Sequence, residues 1–423
     1  MIQQQIILTD YFAAIRISDN VEISESERYA ELWMGTHPSG PSSIRGAATT
    51  LREHLRDRPQ LVGVVPPSYP TDDLPFLFKV LSVGTALSIQ AHPNKSLARE
   101  LHENFPLVYK DPNHKPEMAV ALTTFEALCG FRALREIHEH LQAYPELREV
   151  VGTDPVAAVA EVVHTGQHAG AEANAALQAV FTAYVECDTT VMSRCVAALV
   201  ARLSERQTEG CPPQPPASPN GGLSLDGLIL RLSSQYPGDC GIFSPLLLNY
   251  LTLAPGQSFF MGANVPHAYL AGDCVECMAL SDNVVRVGLT PKHRDVPTLL
   301  GMLHYAPTEL ADLLLQPVAV DTHTQRYRPP ADICEEFEVE RSIFSSAVGE
   351  VCLRALPCAS IILVYKGCFD MQTGGNSEVI AAGCGDVFFL PANASMSCLT
   401  TEGDANANVD TEVTLFRAHL NCA

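Results

Sequence analysis

The sequence predicts a mainly β protein with an α-helical insertion, and three observations support this fold class. First, short apolar runs, one with period-two alternation, lie at residues 74–92 and again beyond residue 246. Second, residues 132–210 are rich in alanine, leucine and glutamate and lack alternation, which favours helices. Third, short strands with glycine turns share a Gly-x-x-Phe-Phe pattern at 256–260 and 385–389. Such a sequence pattern is typical of a β-sandwich or jelly roll and is compatible with two related barrels.

The strand prediction is clearest at 87–92, where polar and apolar side chains alternate, and an apolar run with one lysine precedes it at 76–83. Alternate side chains of a strand point to the same face, so Gln90 and His92 are expected on one side of it. The other predicted strands begin near Leu246 and cover 360–365 and 385–391.

The predicted helical insertion contains three segments with good helix formers and no strand pattern. Two of them cover Asp154–Val163 and Ala171–Tyr184, and a third lies around Leu225–Ser234. Between the second and third segments, Cys211–Gly222 is rich in proline and glycine, so it is predicted to be an exposed linker.

Composition limits the classes of partner. The chain has 423 residues, 48 acidic and 27 basic side chains, and a net charge of −21, so a nucleic-acid partner is not expected. An anionic substrate would need a local basic pocket. Neither a signal peptide nor an apolar run of about 18 residues is evident, so no membrane association is predicted. The 14 scattered cysteines are interpreted as reduced thiols of a cytoplasmic protein.

A metal site is one interpretation of the polar clusters. Three segments combine histidine, carboxylate, amide and basic side chains: Ser88–Lys95, Asn113–Met118 and Asn264–Arg286. Zinc binds imidazole nitrogen and carboxylate oxygen, and less often an amide oxygen. Gln90 and His92 on one strand face, joined by Glu117 and His267, would form such a site. Spacing alone leaves open that these are isolated polar residues in loops or at a barrel mouth.

Two other patterns are weaker. Cys274 and Cys277 have CxxC spacing, but a structural zinc site needs a second such pair, so both are predicted to be ordinary strand residues. Lys115 and Arg286 lie in sequence segments that are otherwise poor in basic residues. Either could stabilise an oxyanion or bind phosphate next to a metal, or could form a surface ion pair.

Several motifs, in order, resemble the type I phosphomannose isomerases. The matching segments are Tyr29–Pro38, Leu74–Val83, Ser88–Lys95, Asn113–Ala119, Leu128–Arg132, Gln235–Asp239 and Asn264–Lys292. The similarity is dense over 29–132 and 235–300, and it is faint in the helical insertion and the last hundred residues. It implies interconversion of mannose 6-phosphate and fructose 6-phosphate, which supplies mannose phosphate for GDP-mannose and glycosylation.

The resemblance also implies a cupin-type fold. It places a metal-bearing catalytic cupin domain at 1–131 and 235–305, a helical domain at 132–234, and a C-terminal cupin-like domain without the metal at 306–423. It implies one zinc ion per chain. The corresponding family ligands are Gln90, His92, Glu117 and His267. A monomer that binds a small sugar phosphate is expected.

The expected reaction moves a proton between C1 and C2 of the sugar through an enediolate. The resemblance places the active-site arginine at Arg286 and candidate acid–base groups at Lys115, Glu276 and Asp282. We also expect His114 or Asp282 to assist ring opening. Two further residues at the end of the metal strand are candidates for holding phosphate: Ser88 and Lys95.

Two alternatives and one departure remain. A metal-dependent cupin oxygenase would favour iron and more histidine ligands, whereas a glutamine ligand suits a redox-inert metal. A non-catalytic sugar-phosphate-binding protein would retain the barrel without turnover. The family usually begins with a strand that carries Tyr-x-Trp-Gly, and residues 1–25 contain no such element; the nearest stretch is Tyr11–Ala14.

Overall fold

The computed structural model describes residues 5–7, 15–17, 31–208, 216–218, 221–345, 348–373, 379–400 and 412–422. Tyr11–Ala14, the stretch nearest to the missing N-terminal element, lies outside the described residues. Most of the predicted linker at 211–222 does so too. Within the described part of the chain, no helix is both long enough and apolar enough to cross a membrane.

The described residues form a mainly β protein with helices, which confirms the predicted class at this level. The strands are β1 Gln5–Ile7, β2 Ile15–Ile17, β3 Glu31–Gly35, β4 Ser43–Arg45, β5 Phe76–Val83, β6 Ile89–Ala91, β7 Glu117–Ala121, β8 Phe125–Phe131, β9 Leu248–Leu253, β10 Ser258–Met261, β11 His267–Ala279, β12 Val285–Gly288, β13 Leu314–Leu315, β14 Val318–Ala319, β15 Thr324–Tyr327, β16 Glu338–Ser345, β17 Glu350–Leu353, β18 Ser360–Lys366, β19 Cys368–Thr373, β20 Ile380–Gly383, β21 Val387–Leu390, β22 Met396–Leu399 and β23 Glu412–His419. The helices are α1 Leu51–Asp57, α2 Lys95–Asn104, α3 Leu134–Ala143, α4 Pro145–Val151, α5 Thr153–Thr165, α6 Ala171–Glu186, α7 Thr189–Thr208, α8 Leu225–Gln235, α9 Val296–Met302 and α10 Leu310–Leu313.

Strand β11 is the centre of the first sheet system. It pairs antiparallel with β6 and β8 near its start and with β5 and β7 further along. The pairing register shifts between Tyr269 and Ala271, and Gly272 follows with a φ of +100°. A side chain at Gly272 would collide with the carbonyl of Thr124, so glycine is required there.

The bend in β11 has a measurable result. The hydroxyl of Tyr269 donates a hydrogen bond to Oε1 of Glu276 at 2.7 Å, although the two residues are well separated along the strand. A straight strand rises about 3.3 Å per residue and would hold them roughly 20 Å apart. The bulge therefore folds both halves of β11 around one cavity.

Helices α3 to α8 lie between the strands β8 and β9. Their buried faces share one hydrophobic core with the neighbouring sheet, so the helices are packed onto the first sheet system rather than tethered to it. Leu177 and Phe181 of α6 are fully buried in this core, and the ring of Phe181 packs edge-on against Phe131 of β8. Apolar residues that recur at helical spacing give each helix a buried face, which explains why this region folds as a bundle.

The second sheet system contains the C-terminal strands. A nine-stranded sheet has the order β14-β15-β16-β23-β18-β21-β2-β1-β4, and a four-stranded sheet has the order β17-β22-β19-β20. A hydrophobic core between these sheets includes Phe344, Phe369 and Phe388. A separate core joins the two sheet systems, since it contains Phe78 of β5 as well as Phe389 of β21.

A short segment at Leu61–Val64 connects the two systems through the backbone. The amide of Val64 donates to the carbonyl of Pro357 at 2.9 Å, and Gly63 forms an isolated β-bridge with Cys358. Gly63 has a φ of +73°, and an added Cβ would collide with Pro357 and Ala392. Close backbone approach therefore requires glycine at this junction.

Candidate metal centre

Three buried side chains, those of His92, Glu117 and His267, converge at the start of β11. Oε2 of Glu117 lies 3.1 Å from Nε2 of His267 and 3.4 Å from Nε2 of His92. One donor atom from each residue lies within 4.8 Å of the other two. Two imidazoles and a carboxylate at this spacing have the composition of a zinc site.

Strand pairing explains this convergence. His267 begins β11 and pairs directly with Gln90 of β6, and Gln90 pairs on its other side with Arg286 of β12. Directly paired residues project from the same face of a sheet. Glu117 begins β7, where it pairs with Met278 on the second half of β11. The bend of β11 therefore brings Glu117 next to His267 and its cross-strand neighbour Gln90.

Backbone carbonyls orient both histidine rings. Nδ1 of His92 lies 2.7 Å from the carbonyl of Asn283, and Nδ1 of His267 lies 2.9 Å from that of Val265. A carbonyl can only accept, so each ring carries its proton on Nδ1 and presents the lone pair of Nε2 to Glu117. Metal-binding histidines are oriented in this way in most proteins.

Nε2 of His92 is an orphaned acceptor. His92 is fully buried, and this nitrogen has no hydrogen-bond partner among the described residues. Burial lowers the pKa of His92 to about 4, so the ring is neutral, which is the form that binds metals. A buried polar atom without a partner is unfavourable, and a cation between His92 and Glu117 would satisfy it. The donor set therefore fits a zinc ion.

Glu117 is ionised despite its burial. Burial raises the pKa of this carboxyl group, but the positive charge of Lys115 outweighs that effect and holds the pKa well below its ordinary value. Nζ of Lys115 lies 3.1 Å from Oε1 of Glu117, on the side away from His267 and His92, which contact Oε2. Glu117 thus has one oxygen for a metal and one for Lys115.

These residues face a cavity of about 350 Å³. Seven residues singled out from the sequence line it: Ser88, Gln90, Lys115, Glu117, His267, Glu276 and Arg286. Gln90 is partly buried, and its Oε1 lies 3.4 Å from Oγ of Ser88. The predicted ligand set and Arg286 are therefore neighbours in space.

The sequence analysis missed a buried ion pair in this cavity. Nζ of Lys79 lies 3.0 Å from Oε2 of Glu276, and the hydroxyl of Tyr269 donates to the other oxygen. Lys79 and Glu276 are directly paired residues of β5 and β11. Burial alone would lower the pKa of Lys79, but Glu276, Glu117 and Glu31 hold it above its ordinary value. The single lysine in the apolar run at 76–83 was the signal that could have indicated this pair.

Three other predicted residues lie elsewhere. Lys95 and Asp282 line a second, larger cavity of about 760 Å³, and none of Lys95, Asp282 and His114 is among the described residues that line the smaller cavity. Nζ of Lys95 and Nε2 of His114 both contact Glu336, at 3.0 Å and 2.7 Å. Asp282 contacts His37 at 3.5 Å.

Comparison with known proteins gives a consistent answer. The type I phosphomannose isomerase catalytic-domain model matches residues 7–134, and the helical insertion-domain model of the same family matches 150–248. The chain is 42% identical to mannose-6-phosphate isomerase of Homo sapiens, over 90% of this chain and 88% of that protein. It is 40% identical to mannose-6-phosphate isomerase 2 of Arabidopsis thaliana, over 89% of this chain and 82% of that protein.

A solved structure agrees with these relatives. The mannose 6-phosphate isomerase of Salmonella typhimurium, crystallised with fructose 6-phosphate and zinc, superimposes with a TM-score of 0.73 at 29% identity, covering 93% of this chain and 91% of that one. The fold and the site define a mainly β protein with a candidate metal centre facing a polar cavity. The chain belongs to the type I phosphomannose isomerase family.

Proposed function

We propose that this chain interconverts mannose 6-phosphate and fructose 6-phosphate, with one zinc ion held by Gln90, His92, Glu117 and His267. The observation that carries the proposal is the orphaned, fully buried Nε2 of His92 beside Glu117, whose carboxylate lines a cavity that basic side chains also line. Relatives 40–42% identical over about nine-tenths of this chain are mannose-6-phosphate isomerases, which supports the same reaction here.

The chemistry requires a proton to move between C1 and C2 while negative charge develops on the carbonyl oxygen. A bound zinc ion would polarise the sugar oxygens at this point. Arg286 would stabilise the developing charge, because it lies across from Gln90 in the sheet and lines the cavity. It is half-buried and has no ion-pair partner among the described residues, which leaves its guanidinium available to a substrate oxygen.

Two groups in the cavity are candidates for moving the proton. Glu276 is held in place by Lys79 and Tyr269, one on each carboxylate oxygen, so its position is fixed although both oxygens already accept hydrogen bonds. Nζ of Lys115 forms an ion pair with Oε1 of Glu117, the oxygen that does not contact the histidines. Asp282, the third candidate from the resemblance, lines the other cavity and is not proposed for this role.

Solvent-proton exchange at the sugar can separate these two roles. Folded Glu276→Gln and Lys115→Met proteins with normal zinc content would be incubated with mannose 6-phosphate in D₂O, and incorporation of deuterium at C2 would be followed by NMR. The variant without the base should lose exchange by at least about 100-fold. Normal exchange in both variants would exclude both residues.

Phosphate recognition is proposed for Ser88 together with Lys292, which the sequence analysis did not single out. Both line the cavity, and Lys292 is exposed, as expected for a group at its mouth. We withdraw Lys95 and His114 from substrate binding because Glu336 engages both. Lys292→Ala should raise KM for the sugar phosphate more than it lowers kcat. An unchanged KM would contradict this role.

The finer organisation is also a proposal. We propose that each sheet system is a cupin-type jelly-roll barrel, with domain boundaries at 1–131 plus 235–305, 132–234 and 306–423. The helices between β8 and β9 and the separate core of the C-terminal sheets support these boundaries. The pairing of β1, β2 and β4 within the nine-stranded sheet, and of β13 with β10, crosses them at the N-terminal and C-terminal parts of the chain. An experimental structure with open sheets would overturn the barrel assignment.

The setting of the enzyme is proposed on chemical grounds. Thirteen described cysteines are free thiols, as expected for a cytoplasmic enzyme, and the product would supply GDP-mannose synthesis. A monomer is proposed as well. Light scattering should give the mass of one chain, and fractionation should place the protein with cytoplasmic markers; a membrane-bound or dimeric protein would contradict these points.

The decisive experiment is a coupled assay for fructose 6-phosphate formation from mannose 6-phosphate. Chelator treatment should abolish turnover, and zinc should restore it. His267→Asn should lose both activity and the zinc of this site, whereas His168→Asn, an exposed control in the helical region, should behave as wild type. A folded, zinc-loaded protein that binds the sugar phosphate without turnover would favour the binding-protein alternative. Iron with oxygen uptake would favour an oxygenase.

A further inference from the structure

A second cluster of metal-binding side chains lies at the end of the chain. One donor atom each from Cys358, His419 and Cys422 lies within 4.8 Å of the other two. His419 is the last residue of β23 and pairs with Ser360 of β18, two residues after Cys358. Cys422 follows His419 closely, so the sheet register brings all three together. This cluster belongs to the C-terminal sheet and shares no residue with the proposed catalytic centre.

The distance between the two sulfur atoms discriminates between possible roles. Sγ of Cys358 lies 3.7 Å from Sγ of Cys422. Two thiolates bound to one tetrahedral zinc, each with a Zn–S distance of about 2.3 Å, are separated by about 3.8 Å. A disulfide requires about 2.05 Å. The observed separation excludes a disulfide, and it fits two hydrogen-bonded thiols as well as two ligands of one tetrahedral ion.

His419 is oriented as the two histidines of the candidate metal centre are. Its Nδ1 lies 2.8 Å from the carbonyl of Leu420, which leaves Nε2 as the nitrogen that can bind a cation. The residue is fully buried, and Nε2 has no hydrogen-bond partner among the described residues. The nearest carboxylate oxygen, Oε1 of Glu340, is 3.6 Å from Nε2 and is already bound by Arg354.

The surroundings suit a thiolate-bound cation. Cys358 is buried in a small apolar cluster with Leu356 and Leu420, which Cys422 joins from the side. Cys422 is partly exposed, which gives an ion a route of entry and leaves a fourth position for water. A divalent cation with two thiolates and a neutral imidazole is electrically neutral, so its burial is far less costly than that of a bare charge.

We propose that Cys358, His419 and Cys422 bind a thiophilic divalent cation of the zinc class, which fixes the end of the chain to the loop before β18. Binding would release the two thiol protons to solvent. Sulfur ligands select against Mg²⁺, Ca²⁺ and Mn²⁺. The site would add a second ion to the one per chain that the sequence analysis predicts, and its role would be structural.

Cobalt spectroscopy can test this site independently of catalysis. The full-length protein, reduced and freed of metal, would be titrated with Co²⁺. Thiolate-to-cobalt charge-transfer absorption can come only from a sulfur-ligated ion, and the proposed catalytic centre has no sulfur ligand. Wild type and His267→Asn should both show this absorption. Cys358→Ser and Cys422→Ser should lose it, and Cys368→Ser, an exposed cysteine on β19, should keep it.

Metal content gives a second measurement. Wild type should retain two zinc ions per chain after removal of excess metal, and Cys422→Ser and His267→Asn should each retain one. Circular dichroism would show that these variants are folded. Absence of the charge-transfer absorption in reduced, folded wild type would overturn the proposal. So would a Cys358–Cys422 disulfide found by mass spectrometry in protein purified with zinc present.

Discussion

Single residues in the cavity have roles that follow from their partners. Glu117 contacts Lys115 with one oxygen and His267 with the other, so loss of either neighbour alters the same carboxylate. Arg286 differs because no described residue neutralises it. A cation without a partner near a metal site is best explained by a substrate that completes the pairing.

Arg286→Ala should lower kcat by about 100- to 1,000-fold, since the charge that develops on the substrate oxygen would lose its guanidinium partner. Zinc content should remain at the wild-type level. The coupled assay and elemental analysis of the same samples would measure both quantities. Arg135→Ala removes an exposed arginine that pairs only with Glu139, and it should leave kcat unchanged. Loss of zinc in Arg286→Ala would instead make Arg286 a structural residue.

The pair of Lys79 and Glu276 should be costly to break from one side. Lys79→Met leaves the Glu276 carboxylate buried with only Tyr269 as a partner, and we expect the free energy of unfolding to fall by about 3–5 kcal/mol. Changing both residues, as Lys79→Met with Glu276→Leu, should recover part of that loss. Chemical denaturation of the zinc-loaded proteins would measure this. Additive losses in the double variant would show that the pair is not energetically coupled.

At the scale of elements, one buried carboxylate joins the two sheet systems. Glu336, which precedes β16, contacts Lys95 of α2, His114 before β7, and the hydroxyl of Tyr69 at 3.0 Å. This network explains why two residues that sequence reasoning assigned to substrate binding do not face the metal cavity. Their partner belongs to the C-terminal half, and a sequence pattern does not reveal pairs so far apart along the chain.

The network predicts a loss of stability in acid. Burial raises the pKa of Glu336, but His114 and Lys95 outweigh this effect and lower the pKa to about 2. A carboxyl with a depressed pKa stabilises the fold above its ordinary pKa of about 4.5, and that contribution disappears as pH falls towards 2. At neutral pH it amounts to at most about 3 kcal/mol.

Glu336→Gln should therefore be less stable than wild type at pH 7, and the difference should shrink as pH falls from about 5 to 3. Unfolding by urea at several pH values would show this. Glu335→Gln is a matched control, because Glu335 pairs with the same lysine but is 43% exposed, so its effect should be small at every pH. A difference that is constant with pH would mean that Glu336 is not ionised by its partners.

At the scale of the whole molecule, the segment 61–64 connects the two sheet systems, so strain in this segment should lower the stability of the whole fold. Gly63→Ala would combine a left-handed backbone with a collision against Pro357 and Ala392. We expect a loss of about 2–4 kcal/mol, seen as a lower Tm. Gly46→Ala has a similar φ of +79° but open space around it, so it should cost only about 1 kcal/mol. Equal effects of both substitutions would show that the junction adds no constraint.

Local patterns predicted much of this molecule, and long-range pairs account for what they missed. The helices at 154–163 and 171–184 and the strands at 360–365 and 385–391 were predicted close to their observed bounds, because periodicity and propensity are properties of the local chain. The same patterns do not predict which strands pair. The partnership of Lys79 with Glu276 depends on the register of β5 against β11.

Motif resemblance supplied part of what periodicity lacked. It grouped the four proposed ligands with Arg286, and the structure places them together, although their roles stay predictions until tested. It gave no indication of Cys358, His419 and Cys422. Cys358 lies near the other two only because β18 pairs with β23.

The bend in β11 also limits how the sequence can change during evolution. Both His267 and Glu276 of this strand line one cavity, and the side chains of a strand alternate between its two faces. Insertion or deletion of a single residue between them would turn Glu276 to the opposite face of the sheet and separate it from Lys79. Functional descendants of this chain should therefore vary in length within the helical region and its linker, while the spacing from His267 to Glu276 stays constant.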